Sequence, residues 1–135
     1  SSGGDPAWIA ADLIAQADDL RRQRRFKEAA EAYRRAAASG RMNADSWADY
    51  ADALASAGSS LKGAPADALA QALALDPRHP KALWLKASLE HEEHRYRDAA
   101  STWRNLLAVV PANSSDALII EANLAEATRL AASQG

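Results

Sequence analysis

DPRHPKALWLKASLEHEEHRYRDAASTWRNLLAVVP, residues Asp76 to Pro111, decides the fold. Prolines bound it at both ends, and a short polar turn around His94–Tyr96 divides it in two. The first run, Lys81 to Glu93, sets Leu83, Ala87 and Leu89 among polar residues; the second, Arg97 to Val109, sets Ala99, Ala100, Trp103, Leu106 and Leu107 at the same spacing. Apolar residues recurring every three to four positions predict amphipathic helices. Each run is too short to be stable alone, because nucleating a helix is costly. The unit therefore requires neighbours built in the same way.

Composition supports an all-α chain. The 135 residues suffice for one domain, and 48% are hydrophobic, many of them alanine. Alanine is the best helix former, and its small side chain lets helices approach closely. Val, Ile and Thr are scarce, so a sheet has little support. Net charge is −2, from 16 basic and 18 acidic residues, which argues against a protein held to nucleic acid by bulk charge. With no cysteine, disulfides, thiolate catalysis and cysteine-based zinc sites are excluded. No run reaches the roughly 20 apolar residues of a membrane span. Residues 1–4, Ser-Ser-Gly-Gly, read as a cloning scar or a disordered end, and residues 5–135 as a single domain.

Asp5-Pro6 supplies a capping acceptor followed by proline where no N–H is needed, so a first helix runs to about Gln23, with Leu13, Ala17 and Leu20 inward. Arg21, Arg22, Arg24 and Arg25 crowd its end, where cations favour the helix dipole. A second helix, Lys27 to about Ser39, buries Ala29, Ala30, Tyr33, Ala36 and Ala37 and stops at Gly40. The third spans about Ala44 to Ala57 and ends on Gly58; Pro65 opens the fourth after a Ser59–Ala64 loop. After the opening stretch supplies helices five and six, Ser114 or Ser115 caps a seventh to about Ala132, with Ala117, Ile120, Leu124, Ala127 and Leu130 inward.

These helices repeat. Leu13-x2-Gln16-Ala17-x2-Leu20, Trp47-x2-Tyr50-Ala51-x2-Leu54 and Leu83-x2-Lys86-Ala87-x2-Glu90 stand 34 and 36 residues apart. The second helices align as Ala29-x3-Tyr33-x2-Ala36, Pro65-x3-Leu69-x2-Ala72 and Ala99-x3-Trp103-x2-Leu106. The two extra residues of the middle repeat fall in the loop, where insertion is cheap. This period and pattern are those of the tetratricopeptide repeat. The predicted fold is an all-α superhelix of three helix-turn-helix repeats (about 10–43, 44–79 and 80–113) and a capping helix (about 114–132). Lys86, Glu90 and Pro65 depart from the pattern. Lys86 and Glu90, four apart, are expected to pair on a helix surface wetter than in the other repeats.

The run Leu75-Asp-Pro-x-His79-Pro-Lys81-Ala-Leu-Trp84-Leu, Tyr96-x2-Ala99-x3-Trp103-x2-Leu106-Leu107, the Ser59–Ala64 loop with Leu61 and Gly63, and Ala44–Ala55 resemble the C-terminal repeat domain of bacterial cytochrome c biogenesis proteins of the CycH/CcmI/NrfG type. The resemblance covers about 44–130; the first repeat matches only the generic pattern. It implies a non-catalytic chaperone subunit without cofactor or metal. Such a subunit faces the periplasm, is tethered to the inner membrane by segments outside this sequence, and holds the C-terminal helix of an apocytochrome c for the haem lyase subunits.

In such a stack the first helix of each repeat lines a concave groove. Register assigns to it Ile14, Asp18 and Arg21, then Asp45, Ala48, Asp49 and Asp52, then Lys81, Trp84, Leu85, Ser88 and His91, with Leu118 and Ala122 at the far end. The expected groove has an apolar floor (Ile14, Ala48, Trp84, Leu118) and an acidic wall (Asp18, Asp49, Asp52), suited to an amphipathic helix with basic edges. Trp84 is the expected anchor, weighed against simple packing on the next helix. Trp47, Trp103, Tyr33 and Tyr50 are expected in the core by register.

Other readings are weaker. Glu90-His91-Glu92-Glu93-His94 holds histidines three apart at a helix end, not the four of a zincin helix. Gly58–Gly63 lacks the Lys-Ser/Thr and preceding strand of a phosphate loop, and no nucleophile elbow is present. A carboxylate-clamp groove, which grips acidic tails with lysine and asparagine in its first repeat, conflicts with Ile14 and Asp18. The alternatives that stay open are a generic tetratricopeptide adaptor and a self-associating scaffold joined through exposed apolar faces of its end helices.

Overall fold

Three side chains at matching positions start the first helices of successive units. Asn43 Oδ1 accepts from the Ser46 N–H at 2.8 Å, and the Ser46 hydroxyl accepts in return from the Asn43 N–H. His79 Nδ1 accepts from the Ala82 N–H, and the Ser114 hydroxyl from that of Ala117. These caps satisfy backbone donors that a helix start leaves free. The computed structural model describes residues 6–135. Among them it shows seven helices and no strand: α1 (Pro6–Arg22), α2 (Phe26–Ala37), α3 (Ala44–Gly58), α4 (Ala64–Leu75), α5 (Pro80–Glu92), α6 (Tyr96–Leu107) and α7 (Ser115–Gln134). The expected cap at Asp5 and the reading of residues 1–4 lie outside the described residues. No helix among them is long and apolar enough to cross a membrane.

Each first helix also ends in the same way. Arg24, Ser59 and His94, spaced 35 apart, take left-handed backbone with φ of 62°, 61° and 60°. Gly58 was the expected stop for α3, but it is still helical; Ser59 makes the turn. Gly40, with φ of 74°, supplies the left-handed residue after α2. The extra residues of the middle repeat are held from outside. The Ser60 hydroxyl and the Leu61 N–H both donate to the Glu92 carboxylate of α5, at 2.6 and 3.0 Å.

The core is three joints in series. Ala17, Ala29 and Tyr33 pack α1 on α2, with Ala53 entering from α3. Ala48, Ala51, Ala68, Leu69, Ala72 and Ala82 join α3, α4 and α5. Leu83, Ala87, Trp103, Leu106, Ile120 and Ala127 join α5, α6 and α7. Each element packs on its near neighbours in sequence, the arrangement of a helical solenoid. Ala17, Ala51 and Ala87 are fully buried where paired helices cross. Tyr33 and Trp103 are core residues as expected, whereas Trp47 and Tyr50 are only partly buried, packing at 6.0 Å on each other at the edge of the joint.

The third repeat holds a correction. Lys86 and Glu90 do pair, at 2.9 Å, but not on a wet surface: the Glu90 side chain is 4% exposed. Thr102 of α6, itself buried, donates to Glu90 at 2.6 Å and accepts from Lys86 at 3.1 Å. Three polar groups therefore close one network between α5 and α6. Among the described residues no buried side-chain nitrogen or oxygen lacks a partner.

Candidate functional site

The first helices α1, α3 and α5 lie side by side along one face, as α1–α3 and α3–α5 neighbours. α7 breaks this series by packing on α6 rather than on α5. The inner face therefore has a closed part and an open part.

Ion pairs fill the closed part. Tyr33 donates to Asp18, and its hydroxyl accepts from Arg21 Nε at 3.2 Å. Burial, then the Asp18 bond, holds the Tyr33 hydroxyl well above its ordinary pKa. Arg21 also stands 3.7 Å from Asp49, and Lys81 bridges Asp49 and Asp52 at 2.7 and 2.9 Å. The three carboxylates of the expected acidic wall are thus tied to groups of three helices: the Tyr33 hydroxyl of α2 and the cations Arg21 of α1 and Lys81 of α5. Asp45 is bonded to Nε2 of His79. Because Nδ1 of that ring accepts from Ala82, the neutral Nε2–H tautomer satisfies both bonds.

Ala48, Leu85 and Leu118 of the predicted groove residues lie elsewhere, and Ala122, one turn on from Leu118, shares its outward face. Ala48 is fully buried against α4, so it belongs to the core and not to an open floor. Leu85 packs on that same α3–α4 joint. Leu118 is 63% exposed, but it sits two residues from both Asp116 and Ile120, which turns it about 200° away from the open cleft they line. Ile14 is half-buried against the first joint.

The open part lies between α5 and α7. The Trp84 ring meets Trp103 edge-on, with centroids 5.2 Å apart at 88°. On one side of this contact is a cleft of about 280 Å3 lined by Pro80, Lys81, Trp84, Leu106, Val110, Asp116 and Ile120. On the other is a more polar one of about 200 Å3, lined by Ser88, His91, Trp103, Asn123 and Glu126. Structure thus brings together Lys81, Trp84, Ser88 and His91 of the predicted set. The His91 ring packs edge-on against Tyr96 at 5.2 Å. Trp84 both packs on its neighbour and lines the cleft. Among the described residues Asp116 and Glu126 form no ion pair, unlike the carboxylates of the closed part.

Sequence reasoning missed the α7 lining. Asp116, Ile120, Asn123 and Glu126 recur every three to four residues, a signal of one face. That face adjoins the buried stripe through Ile120.

Residues 14–65 match the family model of the tetratricopeptide repeat. The fold is a tetratricopeptide superhelix. The tetratricopeptide domain of OM64 from Arabidopsis superposes with a TM-score of 0.77 at 17% identity, over 90% of this chain and 98% of that one. That of Sgt2 from Aspergillus fumigatus superposes at 0.74 and 19% identity, over 93% and 82% of the two chains. The tetratricopeptide architecture thus extends over the third repeat, beyond the matched stretch. No curated protein matches the sequence.

Proposed function

We propose that this tetratricopeptide domain is a non-catalytic adaptor that holds an amphipathic helix of another protein in the α5–α7 cleft. One observation carries the reading: Trp84 lines an apolar cleft beside Asp116, its edge-on neighbour Trp103 lines a more polar one beside Glu126, and neither carboxylate is in an ion pair among the described residues. An apolar side chain seated on Trp84 would bury surface that water now covers, and tryptophan is enriched among such anchors. Asp116 and Glu126 lie ten residues apart on α7, about 15 Å along its axis. Basic residues at that separation on the guest helix would meet them. The guest class is therefore a helix with an apolar stripe and basic edges.

In finer terms, the guest we assign is the C-terminal helix of an apocytochrome c, held for haem lyase subunits in the periplasm, with a membrane anchor in segments outside this chain. What supports this is the resemblance of residues 44–130 to the cytochrome c biogenesis repeats, Trp84 and Lys81 among them. No cofactor or metal enters the reading.

Calorimetric titration with an apocytochrome C-terminal peptide and with an unrelated basic amphipathic helix tests both levels. Trp84→Ala is expected to weaken the first by about thirtyfold, the effect of losing about 2 kcal/mol. Equal binding by the two peptides would leave the adaptor and remove the cytochrome assignment. Unchanged binding by a folded Trp84→Ala domain would remove the groove as well.

A further inference from the structure

α7 is in register with the first helix of a repeat, and among the described residues no second helix packs on its outer face. From the capping residues Asn43, His79 and Ser114, four positions on come Trp47, Leu83 and Leu118; eight on come Ala51, Ala87 and Ala122; eleven on come Leu54, Glu90 and Ala125. In α3 and α5 the second of these, Ala51 and Ala87, is fully buried under the second helix of the same repeat. In α7 all three are open: Leu118 is 63% exposed, and Ala122 and Ala125 are exposed. The opposite end is finished differently. Beyond Trp8 and Ile9 in its first turn, α1 turns the exposed polar residues Asp12, Gln16 and Asp19 outward. A solenoid end with a polar outer face is capped; one with an apolar face is not.

The charges on α7 indicate what covers this face. Reflected about Ala125, Leu118 falls opposite Ala132, and Glu121 opposite Arg129. Glu121 and Arg129 are exposed and enter no ion pair among the described residues of their own chain. An antiparallel copy of the same helix therefore sets Glu121 against Arg129 twice, as a two-fold interface requires. We infer that a second copy of this chain covers the face, α7 packing antiparallel on α7 of the partner about an axis through Ala125. The ends of two superhelices then join into one longer, symmetric array. The Asp116–Glu126 face of α7 stays open, so the dimer and the guest-helix reading stand independently.

Sedimentation equilibrium of this chain over the micromolar to millimolar range reads the association directly. The expected result is a reversible dimer. Ala122→Glu, at an exposed site, is expected to give a monomer with unchanged helical circular dichroism. Glu121→Arg and Arg129→Glu each replace two attractive pairs with two like-charge contacts and weaken the dimer by about tenfold; the two together restore it. A parent chain that stays monomeric overturns the proposal and leaves the face to a helix of another origin. Dimers that persist in Ala122→Glu, or single reversals the double exchange does not rescue, overturn it too.

Discussion

Repeats one and three use one scaffold and finish it in opposite ways. A constant offset of 70 relates them: Ile14 to Trp84, Asp18 to Ser88, Arg21 to His91 and Tyr33 to Trp103. In the first repeat the large core aromatic carries a hydroxyl. Tyr33 reaches out to Asp18 and Arg21 and closes the inner face with polar bonds. In the third, the aromatic is an indole that meets Trp84 edge-on, while Ser88 and His91 make no tie to it. The inner face there remains a cleft. One phenolic oxygen at one register position thus separates a sealed joint from a receptive one. The polar groups of repeat three lie instead inside the helix pair, as Lys86, Glu90 and Thr102.

The strongest way to break this contrast is Trp103→Ala. It removes the floor of the open repeat and leaves a cavity, at an expected cost of about 3–5 kcal/mol in denaturant unfolding. Next comes Lys86→Ala, which leaves a carboxylate of 4% exposure with the Thr102 hydroxyl alone. Because Lys86 itself is 42% exposed, the expected cost is moderated to about 1–3 kcal/mol. Adding Glu90→Leu is expected to regain most of it, since the equivalent residue of repeat one is Leu20. Gln16→Ala, the matching change in repeat one, is expected to stay within about 0.5 kcal/mol. Tyr33→Phe keeps the ring and removes only the closing hydroxyl, for about 1 kcal/mol.

The smallest effect is one of pH. Glu92 corresponds to Arg22, but it spans to the loop of the preceding repeat where Arg22 pairs with Asp19 on its own helix. The Ser60 hydroxyl, then the Leu61 N–H, holds the Glu92 carboxyl below the ordinary glutamate value of 4.5. A depressed folded pKa means a contribution fully present above that value and lost as pH falls through the folded pKa. Melting temperatures of the parent and Glu92→Gln chains are therefore expected to differ near neutrality and to converge below pH 4.5.

The helices were readable because their signals are local. Caps such as Asn43 and Ser114, the crossing alanines and the apolar spacing all lie within a few residues of each other. The repeat then gave the stacking. The site was less readable for two physical reasons. Partners such as Tyr33 for Asp18 and Lys81 for Asp49 come from other helices, so three apparently free carboxylates were already spoken for. Alanine also blurs the register: with Ala48, Ala51 and Ala53 all fully buried, α3 offers little apolar contrast to tell an inner face from a packed one. Thr102 gave no local sign of its role, because Glu90 stands twelve residues away.

In a chain of near-copies, each first helix has three second helices to pack against. Thr102 answers this. Its counterparts in α2 and α4 are Ala32 and Ala68, both buried and neither able to donate. Were α5 to collapse onto either of them, Glu90 would keep Lys86 of its own helix but lose the Thr102 hydroxyl, leaving one carboxylate oxygen buried against a methyl group, which is costly. Only α6 offers the hydroxyl. Glu90 and Thr102 thus act as an address, marking α5 and α6 as each other's partners.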